Sequence, residues 1–365
     1  MNISSERLFE KLKEIDWYED IERITKELIK HNMNFYFVGG TLRDAIISII
    51  YNTKFNPEDI DIVVETENYE ELIKLISGIS FNKKTLIVKY PQFLTLSITL
   101  ISKEDNTKRI DLSLPRKEEY EKWGALPQVK HGSIKEDLFR RDFSINAVSL
   151  RYDVNNQKFE ILDLFNGIQD IFNRKIRILH EKSFFDDPTR IIRAIRLSAK
   201  LKFKFEKHTL RLLNEALNKD VFKHISQNRL INEFVHILKK GGNLKVVACL
   251  FKSLKLIKVY EPIKEIIECF MKNYDKIELA NVPLTFEERY LIRLFYLLES
   301  LCKEKENLDN KTSKFKKYLI QLNIPRKTRE KIYKALQIFS GKTKKIEQIE
   351  NWMKLYIMLY KKNKF

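Results

Sequence analysis

Glycine is scarce in this chain, with 9 residues in 365, and cysteine is scarcer, with 3. Cys249, Cys269 and Cys302 lie far apart and none forms a CxxC pair. Neither a disulfide framework nor a zinc ribbon is therefore expected, and a reducing compartment fits. No apolar run reaches the roughly 18 residues of a membrane-crossing helix. The opening stretch "MNISSERLFEKLKEID" is polar, unlike a signal peptide, so the expectation is a cytoplasmic protein with no membrane partner. Acidic residues are outnumbered: 68 Lys and Arg stand against 50 Asp and Glu, a formal charge of +18. That excess favours a polyanionic partner, nucleic acid before a membrane surface. A composition rich in Lys, Ile and Asn would give the same excess with no partner at all. The length allows two or three domains, and 44% hydrophobic with 32% charged residues predicts a real core under a highly charged surface.

A chain this short of glycine doubles it once in a telling place, "FYFVGGTLRDAI" (residues 35–46). Residues 34–38 read as a strand, Gly39 and Gly40 break it, and "TLRDAIISIIYN" continues with helical periodicity. The alternating, β-branched "DIDIVVE" is a strand. "YEELIKLIS" is a helix, and "KTLIVKY", "FLTLSITLI" and "KRIDLSL" are further strands. With a helix over residues 4–31, these predict a mixed sheet with helices through about residue 150. From about residue 185 strand signals stop and amphipathic helices follow, among them "HTLRLLNEALN", "NRLINEFVHILKK" and "FEERYLIRLFYLLESL". The polar stretch "CKEKENLDNKTSKFKK" reads as a loop between helices.

On a strand, residues i and i+2 share a face, so Asp59 and Asp61 project together. Adjacent carboxylates repel unless a cation lies between them, and Mg²⁺ is the natural cation where phosphates are also present. Asp111 in "KRIDLSL" closes the cluster if its strand neighbours the first. Three carboxylates with two metal ions would suit in-line nucleotidyl transfer. A lone DxD is more often a solvated strand face. The double glycine, at a strand-to-helix turn where backbone N–H groups favour an anion, argues for the functional reading over a plain tight turn.

In "EDLFRRDFSINAVSL" (residues 136–150) the paired Arg140 and Arg141 suit a triphosphate, and Asn146 offers a donor for a sugar hydroxyl. Local ion pairing at a helix start is the commoner meaning of such a run. In "DDPTRIIRAIRLSAKL" (residues 186–201) Asp187 and Arg190, three apart, share a helix face. One acceptor beside a fork of donors matches the Watson–Crick edge of cytosine, and with a small tilt that of adenine. Uracil and guanine would set a carbonyl against the carboxylate. An exposed ion pair of little worth is the alternative.

The set "VGGTLRD", "DIDIVV", "RIDLSLPRKEEY", "RRDFSINA", "LFNGIQDI" and "DDPTRIIRAIRLSAKL" resembles the class II tRNA nucleotidyltransferases, a family of CCA-adding enzymes and bacterial poly(A) polymerases. The motifs stand in the family's order from residue 37 to about 201. The helical remainder resembles it only through "SQNRLINEFVHIL".

The resemblance implies an α+β protein: a nucleotidyltransferase head over residues 1–150, a neck with a base-reading helix over 151–225, and an all-helical body and tail for tRNA over 226–365. It implies that Gly39 and Gly40, with Arg43 and Asp44, hold the triphosphate. Asp59 and Asp61 would bind catalytic Mg²⁺, with Asp111 as a third carboxylate. Arg141, Asp142 and Asn146 would meet triphosphate and ribose. Asp187 and Arg190 would read the base with no template strand, and Arg193 and Arg196 join them in nucleotide binding.

Two positions depart mildly from the family: Asp186 where Glu is usual and Ser144 where Thr is usual. No His-Asp dipeptide occurs, so the phosphohydrolase extension of some relatives is not expected. The stretch "PRKEEYEKWGALPQVKHG" (residues 115–132) is similar to the family's flexible loop for switching from C to A addition, which argues against an enzyme adding only CC. "FNKKTLIVKY" is a poor match to the basic run of poly(A) polymerases, and the ending "YKKNKF" is short. The implied activity is addition of CCA to the tRNA 3′ end from CTP and ATP. A-only addition comes next, then poly(A) synthesis, then an inactive RNA-binding relative. The expected partners are the tRNA acceptor and T arm, bound through shape and phosphates, and not DNA.

Overall fold

The computed structural model describes residues 3–101, 107–240, 242–278, 285–302, 308–339, 350, 353, 354 and 356. The ending "YKKNKF" lies outside the described residues. The chain forms two compact units, Met1–Asp186 with Lys204–Leu210, and Asp187–Phe203 with Arg211–Phe365.

The first unit is built on a seven-stranded sheet. Its strands are β1 (Phe35–Val38), β2 (Asp59–Val64), β3 (Lys84–Tyr90), β4 (Thr95–Ile101), β5 (Thr107–Ser113), β8 (Ser149–Asp153) and β9 (Lys158–Leu162). They lie in the order β3-β4-β5-β2-β1-β8-β9. Only β2 and β5 pair in parallel; the other neighbours are antiparallel, so the sheet is mixed, as expected. The period of two separates its faces. Ile60, Ile62, Leu96, Ile98, Leu100, Ile110 and Leu112 are all within 1% of complete burial. Each such side chain contributes roughly 1.5–3 kcal/mol. The alternate residues, the aspartates among them, take the opposite face.

Helices α1 (Ser5–Lys13), α2 (Tyr18–Lys30), α3 (Gly39–Tyr51) and α4 (Tyr69–Ser77) accompany the sheet. The single helix expected over 4–31 is thus two. The chain turns between them, burying Ile15 and Trp17 to 3% exposure each, and the Trp17 indole donates to the Pro57 carbonyl at 3.2 Å. Burial of two large side chains outweighs the few tenths of a kcal/mol per residue that helix continuation offers.

The stretch 115–132 is a hairpin rather than an irregular loop, with β6 (Arg116–Glu119) paired to β7 (Gln128–His131). Short helices α5 (Ile134–Phe139), α6 (Gly167–Phe172) and α7 (Ser183–Asp186) complete the unit. So does a two-residue parallel pair, β10 (Lys175–Ile176) with β11 (Lys204–Phe205).

The second unit is helical: α8 (Thr189–Leu201), α9 (Lys207–Asn218, its first turn in the first unit), α10 (Gln227–Lys240), α11 (Leu244–Ser253), α12 (Lys264–Asn273), α13 (Phe286–Ser300), α14 (Leu308–Gln321) and α15 (Arg326–Phe339). Phe234 makes edge contacts with Tyr260 and Phe270 in its core. Arg293 is 1% exposed and donates to the carbonyls of Leu238, Ile277 and Glu278 at 3.0, 3.1 and 2.7 Å. A guanidinium placed there ties three chain segments together while satisfying carbonyls that burial would otherwise orphan. The polar stretch expected as a loop is helical from Leu308 onward, because Phe315, Tyr318 and Leu319 give it a buried face; residues 303–307 lie outside the described residues. Among the described residues no helix is long and apolar enough to cross a membrane.

Candidate active site

The parallel pairing of β2 with β5 sets Asp61 beside Asp111 and Asp59 beside Arg109. The adjacency required of Asp111 is therefore met. Arg109 bridges the group, its Nε 3.1 Å from Asp111 and its guanidinium 3.8 Å from Asp59. Ser97 on β4 donates to the other Asp111 oxygen at 2.6 Å. Thr41, in the first turn of α3, donates through its hydroxyl to the Asp59 carbonyl and pins the strand beneath the acids. Burial pushes the Asp61 carboxyl up to about 6; Arg141 opposes this, while Asp111 and Asp59 add to it.

Among the described residues, no three His, Cys, Asp or Glu side chains converge as a ligand set for a metal ion. Arg109 draws Asp111 into an ion pair instead. Mg²⁺ needs less than such a set: one or two carboxylates, with water and substrate phosphates completing the octahedron. Asp59 and Asp61, on one strand face, supply that pair. Burial raises Asp61 most, and the neighbouring Asp111 and Asp59 add to it; a divalent cation would favour the ionised form against both, so the residues fit the ion.

Gly39 has φ +79°, and a Cβ there would collide with the Asp61 carboxylate and come within 3.4 Å of the Arg141 guanidinium. The first glycine of the turn is required because that residue is left-handed and presses on the Asp61 carboxylate; Gly40 meets only the Arg43 side chain. Beneath it runs a chain of side chains. Arg43, 5% exposed, donates to Asp44 at 2.8 Å and to the Asn146 amide oxygen at 2.6 Å. The Asn146 amide nitrogen donates to Asp142 at 2.8 Å. The structure thus brings Arg43, Asp44, Asp142 and Asn146 together.

The motif "LFNGIQDI" supports this chain from behind. Asp163 accepts from the backbone N–H groups of Gly167 and Ile168, the start of α6. Gly167 lies so close to the Ser144 carbonyl that a Cβ would overlap it. Asp170 accepts from the Ser144 hydroxyl at 2.6 Å and from Arg177 at 2.8 and 3.1 Å. The turn bearing Asn146 is held through Ser144, whose hydroxyl makes the contact a threonine would make.

Asp137 is a site residue the sequence reading passed over. Fully buried, it accepts from Arg140 at 2.7 and 3.1 Å on one oxygen and from Arg141 at 2.9 Å on the other. Burial alone would raise its carboxyl, yet Arg141 and Arg140 hold it below the usual range. Arg140 also meets Glu118 of the hairpin at 3.0 Å, so it braces the hairpin against α5. The signal was present: Asp137 precedes the two arginines by three and four positions, the spacing at which helical side chains meet. At the hairpin tip Trp123 packs on Phe185 with ring centroids 4.7 Å apart.

In the second unit, the Asp187 carboxylate takes three bonds on Oδ1: from the Thr189 N–H at 3.1 Å, the Thr189 hydroxyl at 2.7 Å and Arg229 at 2.7 Å. Oδ2 is left for another donor. Arg190, one turn along, is 4% exposed. Arg193 and Arg196 approach Glu233 of α10 at 3.8 and 3.6 Å. Arg229 and Glu233, both in "SQNRLINEFVHIL", were not singled out, since only the fold reveals that α10 packs on α8.

A mixed sheet carrying an acidic pair beside a glycine turn, with arginines converging on it, defines a nucleotidyltransferase-type head. Residues 35–177 match the family described as Poly A polymerase head domain. The resemblance read from the motifs is borne out. Over 318 residues, 85% of this chain, it is 31% identical to the A-adding tRNA nucleotidyltransferase of Aquifex aeolicus, covering 35% of that protein. Over 233 residues, 62% of this chain, it is 31% identical to the CCA-adding enzyme of Enterococcus faecalis, covering 51% of it. The chain thus spans between a third and a half of these relatives' own length. The structure titled "The structure of CCA-adding enzyme apo form II" matches 97% of this chain and 82% of its own at 27% identity, with a TM-score of 0.60.

Proposed function

We propose that this protein adds nucleotides to the 3′ end of tRNA without a nucleic-acid template, completing CCA from CTP and ATP. The observation that carries the reading is the row formed by Asp59, Asp61 and Asp111 against the left-handed Gly39. When bound, Mg²⁺ would lower the cost of deprotonating the attacking hydroxyl and neutralise the leaving pyrophosphate. Asp59 and Asp61 would hold that ion. Asp111, oriented by Ser97 and Arg109, faces the incoming 3′ hydroxyl. The backbone of Gly39 and Gly40 takes the triphosphate, and Arg141, held by Asp137, adds charge-assisted donors. Arg43 and Asp44 shape the turn, while Asp142 and Asn146 meet the ribose. Asp187 accepts from the exocyclic amine of C or A, Arg190 donates to the neighbouring ring positions, and Arg193 and Arg196 complete the nucleotide contacts. The tRNA acceptor and T arm bind through phosphates, so affinity falls with salt.

A second reading, addition of the terminal A alone, is favoured by the Aquifex relative's name. A primer-extension assay with Mg²⁺ separates the two. It offers tRNA ending at the discriminator base, in C or in CC, with CTP, ATP or both. CCA on the first substrate followed by a stop supports the full activity. Extension of only the CC-ended tRNA, by one A, supports the second reading. An unending A ladder overturns both, and no transfer with any nucleotide leaves an RNA-binding relative.

A further inference from the structure

The face of the sheet that carries the acids does not end at them. Across β5, β4 and β3, Asp111 stands beside Ser97 and Ser97 beside Val88. Arg109 stands beside Thr99 and Thr99 beside Leu86, and a third row runs from Ser113 through Thr95 to Tyr90. Residues paired across strands share a face. The reverse face is closed, with Leu96, Ile98, Leu100, Ile110 and Leu112 fully buried. On the acid-bearing face Arg116 of the hairpin covers part of the third row, donating to the Thr95 hydroxyl at 3.1 Å, while the remainder is open: Leu86 is 55% exposed, Tyr90 40%, and the Arg109 side chain 53%. An exposed leucine and tyrosine on the edge strand of a sheet are a liability unless something covers them.

The chemistry dictates what arrives there, given the activity proposed above, on which this step rests. In an in-line displacement the attacking and leaving oxygens lie on opposite sides of the phosphorus. The glycine turn flanks Asp61 on the β1 side, since Val38 pairs with Asp61 and Gly39 and Gly40 follow. Pyrophosphate leaves toward that turn, so the attacking 3′ hydroxyl approaches from the β5 side.

We propose that the open face of β5, β4 and β3 seats the single-stranded 3′ end of the RNA acceptor. At about 4.8 Å per strand, β3 lies roughly 10 Å beyond the acid row. That is enough for the last two or three nucleotides at about 3.4 Å per stacked step. Arg109 and the Thr99 hydroxyl meet phosphate and sugar. Leu86 and Tyr90 give the bases an apolar and aromatic platform, which tolerates any sequence.

The test is RNA binding, which does not require turnover. Two acceptor-stem minihelices, one with a 3′ overhang of two cytidines and one flush-ended, are titrated against wild type, Leu86→Glu and Tyr90→Ala. Wild type binds the overhang RNA more tightly than the flush one. In each variant that gain falls by about fivefold or more, the scale of one lost base stack, while affinities for flush RNA and ATP stay within about twofold. An undiminished gain overturns the proposal. So does an equal loss for both RNAs, or a change in oligomeric state alone, which would make β3 a self-association edge. Failure of wild type to extend any RNA would overturn the proposed activity instead, leaving the binding result to decide the face by itself.

Discussion

Asp61 and Asp111 stand directly opposite each other in the one parallel strand pairing of the sheet. Two carboxylates so placed repel, and the fold holds them together with cations on either flank. Arg109 pairs with Asp111 on one side, while Arg141 lies beside Gly39 and Asp61 on the other. The acid row is thus under electrostatic load before any substrate arrives.

That load has a pH signature. Burial first, with Asp111 and Asp59 adding to it, pushes the Asp61 carboxyl of the metal-free protein up to about 6 from its ordinary 3.8, so the fold favours the protonated form. Its contribution to stability is fully present below about pH 4 and is lost as pH rises through 6. By linkage the loss is at most about 3 kcal/mol, less because the side chain is partly exposed. Asp61→Asn abolishes the loss. Its thermal midpoint matches wild type at pH 4 and exceeds it at pH 7.5, and Mg²⁺ narrows that gap by stabilising wild type alone. Parallel stability curves across this range would show that Asp61 carries no such load.

Gly39 and Gly40 differ in kind. Alanine at 39 must adopt a left-handed backbone, at about 1–2 kcal/mol, and drive its Cβ into the Asp61 carboxylate. Alanine at 40 meets only the end of the Arg43 side chain at 3.4 Å, with ordinary φ. Gly39→Ala is expected to lower stability by about 1–3 kcal/mol and to abolish nucleotide transfer. Gly40→Ala is expected to lower stability by less than about 0.5 kcal/mol. Urea titrations that rank the two variants equally would contradict the left-handed assignment.

Asp137 neutralises two arginines from a fully buried position. Removing it takes the buried carboxylate from Arg141 and leaves Arg140 to its other partners, Glu118 among them; breaking a buried pair in this way costs up to about 3–5 kcal/mol. Asp137→Ala should be that destabilised, and it should raise KM for the nucleotide more than KM for RNA, because Arg141 loses its orientation. The wild-type carboxyl is held low by Arg141 and Arg140 against burial, so its stabilisation is present at neutral pH and is lost as pH falls through that depressed value. Asp137→Asn should therefore approach wild-type stability only in acid. Equal destabilisation by Asn at every pH would place the energy in packing rather than charge.

Much of this site could be read from the residues because each motif states its own local geometry. "DIDIVV" alternates, so both acids had to share a face, and the glycine pair had to lie at a turn. What could not be read was adjacency in the fold. Nothing in "KRIDLSL" says that its strand lies parallel to β2, so Asp111 was legible only as a condition. The stretch 115–132 carries charges that suggest a loop. Its hairpin is fixed by contacts distant in sequence, Arg140 on Glu118 and Trp123 on Phe185. The polar run ahead of Phe315 hid a helix because one buried face of a few residues suffices when neighbouring helices supply the rest.

In the function proposed above, base choice rests on the orientation of one carboxylate. Thr189 and Arg229 hold Asp187 through Oδ1 alone, so Oδ2 presents a fixed acceptor. An amine finds a partner there, whereas the carbonyl of U or G meets like charge. A well-formed pair of this kind discriminates by about 1–3 kcal/mol. Asp187→Asn turns the acceptor into a group that can also donate. The ratio of kcat/KM for CTP and ATP over UTP and GTP should then fall by about 5- to 150-fold, with triphosphate affinity little changed. Arg229→Ala removes the brace without touching the acceptor and should relax the same ratio more weakly. If both variants lose activity with all four nucleotides in equal proportion, Asp187 supports the start of α8 and does not read the base.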